Sequence, residues 1–200
     1  VYSAAGSFEP LVEVLEVEVR HTDDVPRKLE LLQRIADVNE SALDRPEAAF
    51  DAMARAVALD PRVEENLGNF ERLAEGLSRW DTVVAVYDAA VGALANDPYR
   101  HVELLLRVGQ IHEVQRADAD AAIDRYRAVL EVDATNASAL RALDRLYEAL
   151  EQWPQVADVL RRELTLSDLS PDEAVALRYR LGQALEHRLG DPAGALAVYR

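Results

Sequence analysis

Two hundred residues, half of them apolar, carry 37 acidic against 22 basic side chains, a net charge of −15. That excess, with an isoelectric point near 4.6, repels phosphate backbones and anionic headgroups, which argues against nucleic acid or bare membrane as a partner. The absence of cysteine rules out a disulfide framework, a thiolate metal site and a thiol nucleophile, and no apolar run reaches the roughly 18 residues a membrane-spanning helix needs.

Apolar positions recur at helical spacing along the whole chain, and no stretch alternates with period two, so helices and no strands are expected. Taken in order, the expected spans are 8–21, 26–42, 46–58 and 62–76. Next come 79–95, opened by the weak capping pattern Ser78-Arg79-Trp80-Asp81, and 98–115, opened by Asp97-Pro98. In the latter, Leu104, Leu105, Val108 and Ile111 form one apolar face. Spans 118–131, 135–150 and 153–166 follow, the last with Val156, Val159, Leu160 and Leu164 on one side. Ser170-Pro171-Asp172-Glu173 is a capping box for 171–189, and Asp191-Pro192 starts 192–200. In each X-Pro start the cap oxygen precedes a proline whose missing N–H costs nothing at the first helical position. Gly76 and Gly190 stand near helix ends, where a left-handed residue is useful.

The text repeats every 73 residues. Arg34, Arg107 and Arg180 are so spaced, as are Leu31, Leu104 and Leu177, and Phe50, Ile123 and Leu196. Around them RIADVNE, RVGQIHE and RLGQALE recur, and Phe8, Trp80 and Trp153 form an aromatic series. Each period holds four helices. Ile35, Phe70, Val108, Leu143 and Leu181 occupy corresponding places, 35, 38, 35 and 38 residues apart, so two unequal hairpins alternate. Such a period predicts a solenoid whose units bury their apolar faces against neighbours. The expectation is one all-α array over 1–200, with repeats at roughly 1–24 (partial), 25–61, 62–97, 98–134, 135–170 and 171–200 (partial). Val1–Phe8 aligns with Leu146–Trp153, so the chain is expected to open inside the last turn of a helix, and it closes within another. With no initiator Met and no polar cap, a fragment of a longer array is expected. The use of 21 Arg against a single Lys points to a GC-rich bacterial genome.

The short hairpin resembles the tetratricopeptide repeat family, and the resemblance covers the whole chain. Val108-Gly109 and Leu181-Gly182 match the family's Leu-Gly pair, with Ile35-Ala36 close. Ala122 and Tyr126, and Ala195 and Tyr199, match its second-helix signature; Ala49 and Met53 are a variant, and Leu59-Asp60-Pro61 matches the terminal turn. The long hairpin departs: Glu71 and Asp144 replace the small residue, Val83 and Val156 replace the alanine, and Trp80 and Trp153 are expected as core wedges. The resemblance implies a right-handed α-solenoid of about eleven helices, whose first helices line a concave groove that binds a peptide or partner protein.

The stripe that this resemblance aims at the groove comprises Glu40, Arg72, Glu75, Glu103, Leu106, Gln110, Glu113, Arg141, Arg145, Glu148, Tyr179, Gln183, Glu186 and His187. Glutamate recurs at one position of all five helices: Glu40, Glu75, Glu113, Glu148 and Glu186. This ladder reads as a receptor for a basic segment, or as a solvated face held by local pairs such as Arg72–Glu75 and Arg145–Glu148, worth ~0.2–0.5 kcal/mol each. Tyr179 and His187 have no counterparts in earlier repeats, which suits specificity. His112, with Asn39 and Leu185, takes a packing position. Asp118, Asp120 and Asp124 lack the glycine and glutamate of a calcium loop, so Asp118 is expected to cap a helix. Neither catalysis nor a cofactor or metal is expected, since no phosphate loop, serine elbow or metal-spaced histidine pair occurs. The expected function is a protein-interaction scaffold without direct membrane insertion, in the cytoplasm, with the periplasm open. The alternatives are the regulatory array of a larger signalling enzyme, or a module that self-associates end to end through Leu196, Val198 and Tyr199 against Val1 and Tyr2.

Overall fold

The computed structural model describes residues 8–167 and 169–200; expectations for Val1 and Tyr2, and for a helical turn before Phe8, lie outside them. Eleven α-helices follow one another: α1 (Phe8–His21), α2 (Val25–Ser41), α3 (Pro46–Leu59), α4 (Glu64–Leu77), α5 (Trp80–Val91), α6 (Pro98–Gln110), α7 (Ala119–Val132), α8 (Ala137–Ala149), α9 (Trp153–Glu163), α10 (Pro171–Gln183) and α11 (Pro192–Tyr199). Among the described residues there is no strand. The chain forms two compact units, one through Arg100 and one from His101 onward.

Helix starts follow the capping chemistry. Asp118, Asn136 and Asp191 accept hydrogen bonds from the N–H groups of Ala121 (3.1 Å), Ala139 (3.1 Å) and Gly194 (2.8 Å). The Ser170–Glu173 capping box is closed in both directions.

Helix ends differ from expectation. The spans 98–115 and 171–189 each divide into an α-helix and a final π-turn, Ile111–Gln115 and Ala184–Arg188. Both turns carry a wide bond to a carbonyl five residues back, from Arg116 to Ile111 (3.1 Å) and Leu189 to Ala184 (3.0 Å), and α2 ends in the matching Leu43-to-Val38 bond (3.1 Å). The residue directly after each donor turns left-handed: Asp44 (φ 52°), Ala117 (φ 51°) and Gly190 (φ 65°), again 73 apart. In the long hairpin the left-handed residues are Ser78 and Glu151, both at φ 55°. Gly76, expected in that role, is helical; the turn comes two residues later, at Ser78. The 79–95 span ends earlier, at Val91, and finishes as a 3₁₀ turn over Gly92–Leu94.

In the first unit Phe50 of α3 stacks on Phe70 of α4, with ring centroids 4.7 Å apart, and Phe70 meets Tyr87 of α5 edge-on at 6.1 Å. All three are fully buried. The Arg79 guanidinium covers the Phe50 ring at 4.5 Å. In the second unit Val108, Val129, Leu140, Leu143, Leu160 and Leu181 fill the equivalent layers.

The glycines of the family-like pair have a steric reason. A Cβ built on Gly109 would lie 2.7 Å from the Tyr126 ring, and one on Gly182 would lie 2.1 Å from the Tyr199 ring. The long hairpin manages without the small residue because its replacements have partners. Tyr87 donates its hydroxyl to Glu71 at 2.7 Å, and Arg180 binds Asp144 through both nitrogens at 2.7 and 3.1 Å. Tyr87, not tryptophan, is the buried aromatic there. Trp80 and Trp153 are only half-buried, which corrects the expectation of core wedges: each sits at N1 of its helix, too close to the edge to be enclosed. Asn39, His112 and Leu185 are buried as expected. Asn39 donates to the Ile35 carbonyl at 2.8 Å, and His112 Nδ1 lies 3.4 Å from the Arg116 guanidinium.

Two substitutions test these backbone arguments by denaturant unfolding. Gly109→Ala should cost roughly 1–3 kcal/mol, because Tyr126 is buried and held by Glu113 and cannot yield. Ala117→Gly should stabilise by about 0.5–1 kcal/mol, the left-handed penalty of roughly 1–2 kcal/mol less the added chain entropy of glycine.

Candidate functional site

The helices α2, α4, α6, α8 and α10, with the π-turns Ile111–Gln115 and Ala184–Arg188, carry the predicted stripe. Arg72, Glu75, Gln110, Arg141, Arg145, Glu148, Tyr179, Gln183, Glu186 and His187 are exposed, while Glu40, Glu103, Leu106 and Glu113 are half-buried. Every one therefore reaches solvent at least in part.

The stripe's ion pairs are not the expected ones within a helix. Arg72 grips Glu40 through two bonds of 2.6 and 2.7 Å, Arg145 reaches Glu113 at 2.7 Å, and Arg180 reaches Glu148 at 2.7 Å. Each arginine stands 32 residues after its glutamate, so each pair ties one hairpin to the next. This corrects the Arg72–Glu75 and Arg145–Glu148 pairing. Side chains of successive first helices meet across the stack within each unit.

Chemistry follows from the pairing. The Arg72 hydrogen bonds hold the Glu40 carboxyl below its usual range, against a smaller opposing effect of burial. A carboxyl depressed on folding stabilises the fold above its unfolded pKa, and that contribution fades as pH falls through the folded value. The pair is half exposed, so the contribution is small. Glu113 has a second partner, the Tyr126 hydroxyl, which donates to it at 3.0 Å. Burial, then the negative Glu113, push the Tyr126 hydroxyl well above its ordinary value. It stays protonated and remains a donor.

Three predicted residues, Glu148, Gln183 and His187, come together around a cleft of about 360 Å³. Its remaining walls include Trp153, Arg180 and Arg188. The Arg188 guanidinium lies 4.6 Å from the Trp153 ring centroid, a cation–π contact that leaves the indole as a flat wall. Sequence reasoning missed this role for Trp153, because its recurrence with Trp80 read as structural. Arg188 was visible as an unrepeated residue, since Gln115 stands 73 positions earlier. The other candidates lie elsewhere along the stripe. A separate cleft of about 690 Å³ opens between α7, α8 and α9, lined in part by Asp124, Arg127, Tyr147, Asp158 and Arg162. Among the described residues no group of three or more His, Asp or Glu is placed to hold a metal ion, and no helix is long and apolar enough to cross a membrane.

No protein-family model and no curated protein matches the chain. Among solved structures it is similar to the MamA protein, at 15% identity and TM-score 0.51 over 86% of this chain and 87% of that one. A tetratricopeptide repeat protein from Parabacteroides merdae overlaps at 16% identity and TM-score 0.46, over 98% of this chain and 73% of that one. At such identities the likeness concerns the fold alone, an all-helical, tetratricopeptide-like repeat.

Behind the stripe lies a buried carboxyl. Glu163 is 4% exposed, and its Oε1 has no hydrogen-bond partner among the described residues. Burial first, and then Asp144, push its pKa up, while Arg180 and Arg141 pull it down. A carboxyl raised on folding contributes stability below its unfolded pKa of about 4.5 and loses it as pH climbs through the folded value. Glu163→Gln should remove that decline and raise Tm at pH 7.5. Thermal melts across pH 4 to 8 check it, and a lower Tm for the variant at pH 7.5 would mean that Arg180 makes the buried charge favourable.

Proposed function

We propose that this chain is a protein-interaction scaffold that binds a peptide or partner protein along the stripe of its first helices. It is read as a bacterial array in which 35- and 38-residue hairpins alternate. The observation that carries this reading is the cleft in which Glu148, Gln183 and His187 meet the Trp153–Arg188 stack. A half-buried aromatic wall, a carboxylate, the repeated Gln183 and the unrepeated His187 form a recognition surface without the machinery of catalysis. The acidic excess of −15 favours a basic ligand by long-range attraction. Paired glutamates alone contribute little to that preference, because Arg72, Arg145 and Arg180 already neutralise three of them. The unrepeated residues of α10 and its final turn then carry specificity, and a cytoplasmic setting fits the cysteine-free composition.

Affinity capture with the 200-residue chain as bait, beside a Glu148→Lys/His187→Glu variant of unchanged helical circular dichroism, tests this. A partner retained by the parent and reduced about tenfold or more with the variant, the loss expected when a central charged contact is reversed, supports the stripe. Equal capture by both would move the binding surface elsewhere.

A further inference from the structure

The first copy of the repeat fills a space that the second copy leaves open. In the first, α5 packs directly on α3, and the rings of Phe50, Phe70 and Tyr87 are fully buried there. Arg79, just before α5, closes the layer. Its guanidinium lies 4.5 Å from the Phe50 ring centroid and pairs with Asp51 at 3.1 Å. At the positions 73 residues later the three rings are replaced by Ile123, Leu143 and Leu160, and Arg79 by Gln152, while the acid is kept as Asp124. Three small residues of the first copy, Ala54, Ala74 and Ala85, become Arg127, Tyr147 and Asp158. These wider side chains stand between the helices, and the rings that could fill the gap are gone. Accordingly α9 does not pack on α7 as α5 does on α3. Between them is the cleft of about 690 Å³, within the size range of sites that enclose a ligand.

The walls say what it would hold. Ile123, Leu143 and Val159 are buried and give it an apolar floor. Asp124 has lost the arginine that its counterpart Asp51 holds, and neither it nor Asp158 makes a hydrogen bond or ion pair among the described residues. Tyr147 lines the same cleft and is only 7% exposed, yet its hydroxyl has no hydrogen-bond partner among the described residues. Burial raises its pKa, and the charges of Arg127, Asp124 and Asp158 reach it, so the hydroxyl opens toward the two aspartates. A buried tyrosine hydroxyl ordinarily finds a partner. The rim carries Asp120, Asp124, Glu131 and Asp158 against Arg127 and Arg162, and Arg162 is already engaged with the Ala134 carbonyl at 3.0 Å. The surplus is negative, so the fitting ligand is a cation on an apolar stem. A guanidinium matches best, because its planar fork serves a carboxylate and still has donors to spare.

We propose that the cleft between α7 and α9 receives an arginine side chain of a partner protein, together with an aromatic neighbour. The guanidinium lies against Asp124 and Asp158 and donates one N–H to the Tyr147 oxygen. The aromatic ring lies over Ile123 and Leu143, in the room that Phe50 and Phe70 take in the first copy. This rests on the scaffold reading and adds a second site, none of whose walls belongs to the stripe.

The probe is the blocked tripeptide Leu-Arg-Trp, titrated into the isotope-labelled 200-residue chain and followed by NMR. Saturable shifts should gather on α7 and α9. Citrulline in place of the peptide's arginine keeps the shape and removes the charge, and should weaken binding about tenfold or more, as expected for a desolvated charge pair. Asp124→Asn/Asp158→Asn should do the same. Gln152→Arg should weaken it too, since the guanidinium then comes from the chain itself, as Arg79 supplies it in the first copy. Glu148→Lys/His187→Glu should leave this binding unchanged, so that failure at the stripe and failure here are told apart. An absence of saturable shifts on α7 and α9, or binding indifferent to citrulline or to the loss of both aspartates, overturns the proposal. Arginine amide binding as tightly as the tripeptide would make the occupant a small free cation, and overturns it too.

Discussion

Phe50 stays dry because Phe70 lies on it at 4.7 Å and Arg79 closes the other face at 4.5 Å. Both covers come from the hairpin that follows. A hairpin of two short helices exposes too much apolar surface to stand alone, and here the missing burial is supplied by the neighbour. The same dependence recurs in the second unit, where Tyr126 is enclosed in contact with Gly109 and α8 packs on α7. Close approach within the short hairpin and coverage by the long one are thus parts of one requirement. The first needs glycine under a tyrosine ring, and the second needs a large apolar side chain on the next first helix.

The long hairpin solves the problem differently. Its acids at Glu71 and Asp144 stand where a small residue would let helices touch, and each is retained by a donor: the Tyr87 hydroxyl in one copy, the Arg180 guanidinium in the other. An ionised acid at such a site is tolerable only with that partner. Arg180 also reaches Glu148, so one side chain satisfies a buried acid and ties the surface stripe. The surface stripe and the packing layer are therefore coupled through a single residue in the second unit.

Much of this was legible in the chain of letters. Cap oxygens before proline placed helix starts within a residue or two, because that chemistry is local. The period, together with Gly109 and Gly182, announced hairpins in close contact. What escaped depends on distances between hairpins. Arg72 was matched with Glu75 on its own helix, whereas its guanidinium crosses to Glu40. The left-handed turn at Ser78 was assigned to Gly76, since glycine has the lower penalty there, but the helix runs one residue further, to Leu77. Trp153 was read as core from its recurrence, while its position at the first turn leaves one face of the ring for Arg188. The cleft it forms with Glu148, Gln183 and His187 joins α8, α9 and the turn after α10, a meeting that no single helical wheel displays.

The arginine ties have a mechanical consequence. They run along one edge of the stack within each unit, on the solvent side, while the aromatic and aliphatic contacts lie deeper and feel salt little. Dissolved ions screen the first kind of contact over about 8 Å at physiological strength and leave the second intact. Each unit thus holds one layer of contacts whose strength is set by ionic strength and one that is nearly indifferent to it. Raising salt therefore weakens the ties at the surface edge while the buried contacts keep their strength.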